Sequence, residues 1–205
     1  MTLNRHIIAA TVLLTAAAVP SLAHAGYALD TGTPSGNGFP LSLDGVDYVA
    51  AEFALGAGQT ITGINGYLNA GFSGSVGDTF TIAIYSNSAG NLPGYQVWSG
   101  QATYLQDGWN GLNNLSVSGL TAGNYWVAFE VGFSDSTFGL QLPIGATAGS
   151  TPALAYAFSS GGNYQSMTGF SYGVQVSSVP VPGAFALFGS GLLGLAAAAR
   201  RRAAA

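Results

Sequence analysis

The sequence predicts an all-β fold, a β-sandwich of jelly-roll type, with an apolar helix at each end of the chain. Three observations along residues 26–178 predict it. Apolar and polar residues alternate with a period of two, no stretch carries a sustained apolar stripe at 3.6 residues, and turn-forming pairs recur between the alternating runs. Eight or nine short strands of this kind must pair their apolar faces across two sheets, and a sandwich does that.

The first element is a targeting segment. Arg5 precedes a continuous apolar and small-residue run from Ile7 to Val19, and Ala23-His24-Ala25 supplies the small-x-small pattern that signal peptidase reads. Cleavage after Ala25 makes Gly26 the first residue of the mature chain. A lone Arg5 is not a twin-arginine signal, so the general secretion route is expected.

Next come the strands. In Thr79 to Tyr85, Phe80, Ile82 and Ile84 share one face; Tyr125, Val127, Phe129 and Val131 alternate with Trp126, Ala128 and Glu130. Weaker alternation marks Val46 to Leu55, Thr60 to Leu68, Gln96 to Tyr104, Leu112 to Val117, Thr137 to Leu142, Ala153 to Phe158 and Phe170 to Val176. Between them, Gly77-Asp78, Pro93-Gly94, Asp107-Gly108, Asn110-Gly111, Ala122-Gly123-Asn124 and Gly161-Gly162-Asn163 have turn chemistry.

The last element begins at Val179. An uncharged apolar stretch runs to Ala199, and Arg200, Arg201 and Arg202 follow at once. As a helix, this stretch would reach roughly 30 Å, enough to cross a bilayer core. Positive flanks stay cytoplasmic, so the β-domain is expected to face the periplasm. The expected organisation is a signal peptide (1–25), an extracytoplasmic β-sandwich (26–178) and a C-terminal anchor (179–205).

Charge narrows the chemistry. All eight carboxylates lie between Gly26 and Ser178, where there is no Lys, Arg or His, so this region carries a formal charge of −8. Nucleic-acid binding is excluded, because duplex affinity depends on cations that neutralise phosphates. Serine-type triads need a His or Lys base, and thiolate or imidazole metal sites need Cys or His; the domain has none of these. Carboxylate chemistry remains, with Glu52 and Glu130 as a conceivable glycosidase pair, but no motif surrounds either residue. Asp44, Asp47 and Asp78 are oxygen ligands in type, yet no calcium-loop spacing exists, and Asx-turns account for them. No cofactor and no metal is expected. Trp98 and Trp126 fall in strands. Trp109, between Asp107-Gly108 and Asn110-Gly111, reads as a turn tryptophan that could stack on a sugar ring.

One resemblance adds to this. The order of Val179-Pro180-Val181-Pro182, a short apolar helix containing Gly189-Ser190-Gly191-Leu192-Leu193-Gly194-Leu195, and an arginine cluster resembles the PEP-CTERM sorting signal handled by exosortases. The resemblance implies recognition and cutting at the proline motif by an exosortase-type membrane protease, a helix held in the inner membrane, and arginines that stop transfer. It also implies delivery to the cell surface or extracellular matrix of an exopolysaccharide- and biofilm-forming Gram-negative bacterium. Pro180-Val181-Pro182 lacks the central glutamate and is similar to a V-P-x-P-A variant, with Gly183 at the usual alanine position. The spacing of Ile82 to Tyr85, Pro93-Gly94 and Ala122 to Trp126 is similar to choice-of-anchor domains attached to such signals. The expected function is a noncatalytic exported surface or matrix protein. The alternatives are a carbohydrate-binding, lectin-like module that contacts exopolysaccharide through Trp109, and a secreted glycoside-active enzyme.

Overall fold

The computed structural model describes residues 26–35, 40–137, 139–145 and 147–180. Ala23 and Ala25, Val181 and Pro182, the apolar helix and Arg200, Arg201 and Arg202 lie outside the described residues. In chain order the strands are β1 (Gly26–Asp30), β2 (Leu41–Leu43), β3 (Asp47–Leu55), β4 (Gln59–Leu68), β5 (Thr79–Asn87), β6 (Pro93–Thr103), β7 (Gly108–Val117), β8 (Gly123–Glu130), β9 (Leu140–Leu142), β10 (Tyr156–Ser160), β11 (Tyr164–Met167) and β12 (Val174–Pro180). No helix occurs among the described residues.

The strands form a four-stranded sheet of order β1-β12-β4-β7, a six-stranded sheet of order β11-β10-β3-β8-β5-β6, and a short β2-β9 ladder. Every pairing is antiparallel. With β2, β9 and the β10–β11 hairpin set aside, the remaining eight strands have the two-sheet order of a jelly roll. The hairpin widens the second sheet beyond β3.

The core lies between the sheets. Phe53, Phe80, Ile82, Val127 and Phe129 face Ile61, Ile64, Leu68, Val174 and Val176, all of them 1% exposed or less. Burying each such side chain contributes roughly 1.5–3 kcal/mol. Gly66 of β4 is part of this interface. A Cβ there would lie 2.6 Å from the Phe129 ring, so the aromatic side chain occupies the space another residue's side chain would need.

The expected strands over Thr79 to Tyr85 and Tyr125 to Val131 are present, as β5 and β8. Three strands escaped sequence reading: β1, β2 and β11. Tyr164-Gln165-Ser166-Met167 is an edge strand paired only with β10, with no apolar alternation to signal it. Two expected turns are not turns. Pro93-Gly94 opens β6, and the chain reverses earlier, around Ala89-Gly90 and Asn91, which has a φ of 52°. Asn110-Gly111 lies inside β7, where Asn110 is buried. The Asn110 carboxamide serves the preceding turn from within the strand. Its Oδ1 accepts from the Leu105 N–H at 2.8 Å, and its Nδ2 donates to the Gln106 and Gly108 carbonyls at 2.7 and 2.9 Å. Turn chemistry was read at the right residue type but placed one element late.

Candidate functional site

The outward face of the six-stranded sheet is unusual because its centre is buried. Ala83, Ala128, Ala50 and Ala157 align in register across β5, β8, β3 and β10, each fully buried. Four methyl groups in a row leave a trough, since successive side chains on this face stand only ~5 Å apart across strands. Tyr85, Leu92, Ala155 and Tyr164 pack into it. The Tyr85 and Tyr164 rings meet edge to face, with centroids 5.9 Å apart. Leu92 comes from the β5–β6 loop and Tyr164 from β11, so the strand that sequence missed forms part of the cover.

A glutamate lies on either side of the trough. Glu52, 2% exposed, sits opposite Trp126 in the β3–β8 pairing. Its Oε1 accepts from Asn87 Nδ2 at 3.2 Å and Asn124 Nδ2 at 2.9 Å, and its Oε2 accepts from Asn91 Nδ2 at 3.3 Å. Asn87 Oδ1 in turn accepts from the Trp126 indole N–H at 2.9 Å. Glu52 is therefore spoken for at both oxygens, and it fixes the β5–β6 loop, where asparagine tolerates the positive φ at position 91.

Glu130 is different. It is 9% exposed, and its Oε1 accepts two phenolic hydroxyls, from Tyr85 at 2.8 Å and Tyr164 at 2.6 Å. No bond to its Oε2 is made among the described residues. Alternation in the sequence places Glu130 outward, as expected. The hairpin and the β5–β6 loop nevertheless wall it in.

Burial raises the pKa of the Tyr85 and Tyr164 phenols, and the negative charge of Glu130 raises both further. Tyr48 is raised for the same reasons, burial first and then Glu130. These hydroxyls stay protonated, and those of Tyr85 and Tyr164 serve as donors to the carboxylate. Over Glu130 the surface opens as a cleft of about 360 Å³, walled by Tyr48, Tyr85, Tyr164, Asn163 and the Leu92–Gly94 segment.

The residues singled out by sequence fall in several places. Trp126 is buried beside Glu52, and Trp98 of β6 is half-buried against the core. Trp109 is not on a turn: it lies in β7 of the other sheet, half-buried, with its ring 5.5 Å from Tyr67 and edge to face. The sequence placed it on a turn because Asp107-Gly108 and Asn110-Gly111 flank it, yet only the first pair reverses the chain. Asp44 Oδ1 accepts the N–H groups of Val46 and Asp47 at 3.2 and 3.0 Å, an Asx-turn. Asp78 Oδ2 accepts the Ser75 N–H at 2.7 Å. No group of three or more metal-ligating His, Cys, Asp or Glu occurs among the described residues. Tyr48, Tyr85, Tyr164, Asn87, Asn91 and Asn124 were not singled out as site residues in the sequence, since each takes that role from residues distant along the chain.

Val179 pairs with Thr60 and Pro180 with Gln59, so the last strand includes the first half of the Val179-Pro180-Val181-Pro182 motif. The class is thus a jelly-roll domain whose closing strand ends on the first proline of that motif. Residues 178–202 match the PEP-CTERM protein-sorting motif, and the chain carries that signal. The motif implies export, membrane anchoring and processing by an exosortase, a membrane protease. No curated protein matches the chain. Among solved structures the chain is similar to the crystal structure of the cysteine protease and lectin-like domains of Cwp84, a surface layer associated protein of Clostridium difficile. Identity is 9% and the TM-score 0.46, over 66% of this chain and 32% of that one, so less than a third of that chain's length is spanned.

Proposed function

We propose that this is a noncatalytic protein displayed on the cell surface or in the extracellular matrix. Signal peptidase releases Gly26 as the mature N-terminus, the jelly roll folds on the periplasmic side, and the C-terminal helix holds the chain in the inner membrane until an exosortase cuts at the proline motif. The observation that carries this reading is the sorting motif at 178–202, which begins on the last strand of the domain.

Support for a noncatalytic role comes from inventory and spacing. Residues 26–180 contain no Lys, Arg, His or Cys. Glu130 lies four residues along β8 from Trp126, the partner of Glu52. That is ~13 Å of strand between their backbones at ~3.3 Å per residue, and the two carboxylates share no hydrogen-bond partner among the described residues.

The test is fractionation of cells that make either the native chain or the Pro180→Ala/Pro182→Ala double variant. Native protein is expected at the surface, and the variant at full length in the inner membrane. The same surface location for both, with the tail intact, would refute the proposal.

A further inference from the structure

We infer that the cleft over Glu130 is a binding site for a neutral, polyhydroxylated sugar ring. This concerns the face of the domain alone and stands or falls separately from the sorting reading.

Glu130 has hydrogen-bond capacity left over. An ionised carboxylate is acceptor-only, with two oxygens and about four lone-pair positions. Tyr85 and Tyr164 occupy Oε1. Oε2 has no partner among the described residues, although the side chain is nine-tenths buried and lines the cleft. A buried charge left half-solvated gains most from donors brought to it, and charge-assisted bonds are the strong ones. Two adjacent sugar hydroxyls present two donors at neighbouring positions, which matches the capacity left on Oε2.

Shape and surface agree. At about 360 Å³ the cleft is near the small end of the ~300–1,000 Å³ range of ligand sites, a size for one sugar ring or a short oligosaccharide. Tyr48, Tyr85 and Tyr164 line the cleft, where an aromatic surface can meet the C–H face of a sugar and a phenolic oxygen can accept a hydrogen bond. The Tyr48 ring is pinned by its hydroxyl, which donates to the Gly45 carbonyl at 2.9 Å. The β5–β6 loop is held by Glu52 through Asn87 and Asn91, so this wall of the site is preorganised.

Charge sets the class of sugar. No cation occurs anywhere in residues 26–180, and a carboxylate forms the floor, so uronates and sulfated or phosphorylated sugars are repelled. A bound metal would need further charged ligands, and the cleft has a single carboxylate. Sequence pointed instead to Trp109, which lies in the opposite sheet.

The experiment uses the full chain in detergent, probed by saturation-transfer NMR and calorimetry with maltose, cellobiose and lactose, and with glucuronate and glucosamine as charged controls. At least one neutral sugar is expected to bind, with glucuronate weaker by about tenfold or more. Glu130→Gln and, separately, Asn163→Trp, which places a bulky ring at the exposed rim, should each weaken binding by about tenfold or more, while Trp109→Ala leaves it unchanged. Should Glu130→Gln lose its fold, Asn163→Trp decides, because residue 163 is exposed and outside the Glu130 network. Binding of no neutral sugar, binding of glucosamine alone, or binding that survives Asn163→Trp would each overturn the inference, and so would loss of binding in Trp109→Ala.

Discussion

A domain with eight carboxylates and no cation must hold its negative charge with neutral donors. Asp135 accepts from Thr81, Gln101 and the Gly132 N–H, and Asp107 from the Tyr104 hydroxyl and the Ala70 N–H. Burial opposes ionisation of Asp30, but bonds from Gln175, Ser150 and the Gly32 N–H together hold its carboxyl below the ordinary range. Asp47 Oδ1 is the exception, buried without a partner among the described residues. Glu52 is the most heavily committed of the buried pair. Replacing it by Ala strands three asparagine amides and is expected to cost about 2–4 kcal/mol in urea unfolding, with the β5–β6 loop loosened. A loss below ~0.5 kcal/mol would mean that water replaces the carboxylate at no cost.

The phenols give the matching alkaline test. Tyr104 is pushed up to about 12 by burial and by its bond to Asp107, and Tyr85, Tyr164 and Tyr172 are raised as well, all chiefly by burial. A group whose folded pKa exceeds its unfolded value of 10.0 stabilises the fold fully below pH 10, and that contribution is lost as pH rises toward the folded pKa. Unfolding free energy should therefore fall above pH ~10, while phenolate absorbance of the native protein lags behind that of the unfolded chain. Simultaneous ionisation of all ten tyrosines near pH ~10 in the native state would contradict the burial described here.

At the scale of elements, the two sheets meet closely where β4 gives up side chains. Gly66→Ala drives a methyl into the Phe129 ring and is expected to destabilise the sandwich by about 1–3 kcal/mol, measured by thermal or urea unfolding. An unchanged midpoint would show that the sheets can part at no cost. The same elements show what was legible beforehand. β5 and β8 announce themselves because Phe80, Ile82 and Ile84 alternate with Thr81 and Ala83, and Val127 and Phe129 with Ala128 and Glu130, which marks the core face of each. β11 does not, because an edge strand with polar composition is specified by its partner β10 rather than by its own pattern. Asn110 misled for a related reason, since asparagine chemistry is the same whether it closes its own turn or a neighbouring one. The candidate site was least legible of all. Glu52 and Glu130 were visible as carboxylates, but the alanine rung that lies between them is a register across four strands, and register is not written in any one strand.

For the whole molecule, one end of the jelly roll gathers the chain's entry and exit. Gly26 pairs with Ser178, and Pro180 pairs with Gln59. β12 lies between β1 and β4 as far as Ser178, and Val179 and Pro180 continue the strand paired with β4. Cutting at the motif would spare the sandwich, since every core residue among the described residues precedes Val179. Intact mass spectrometry of the mature protein recovered from the cell surface tests this account most directly. A species that begins at Gly26 and ends near Pro180 to Pro182, without Arg200 to Arg202, is the expected result. Surface material that retains the arginine tail would contradict it.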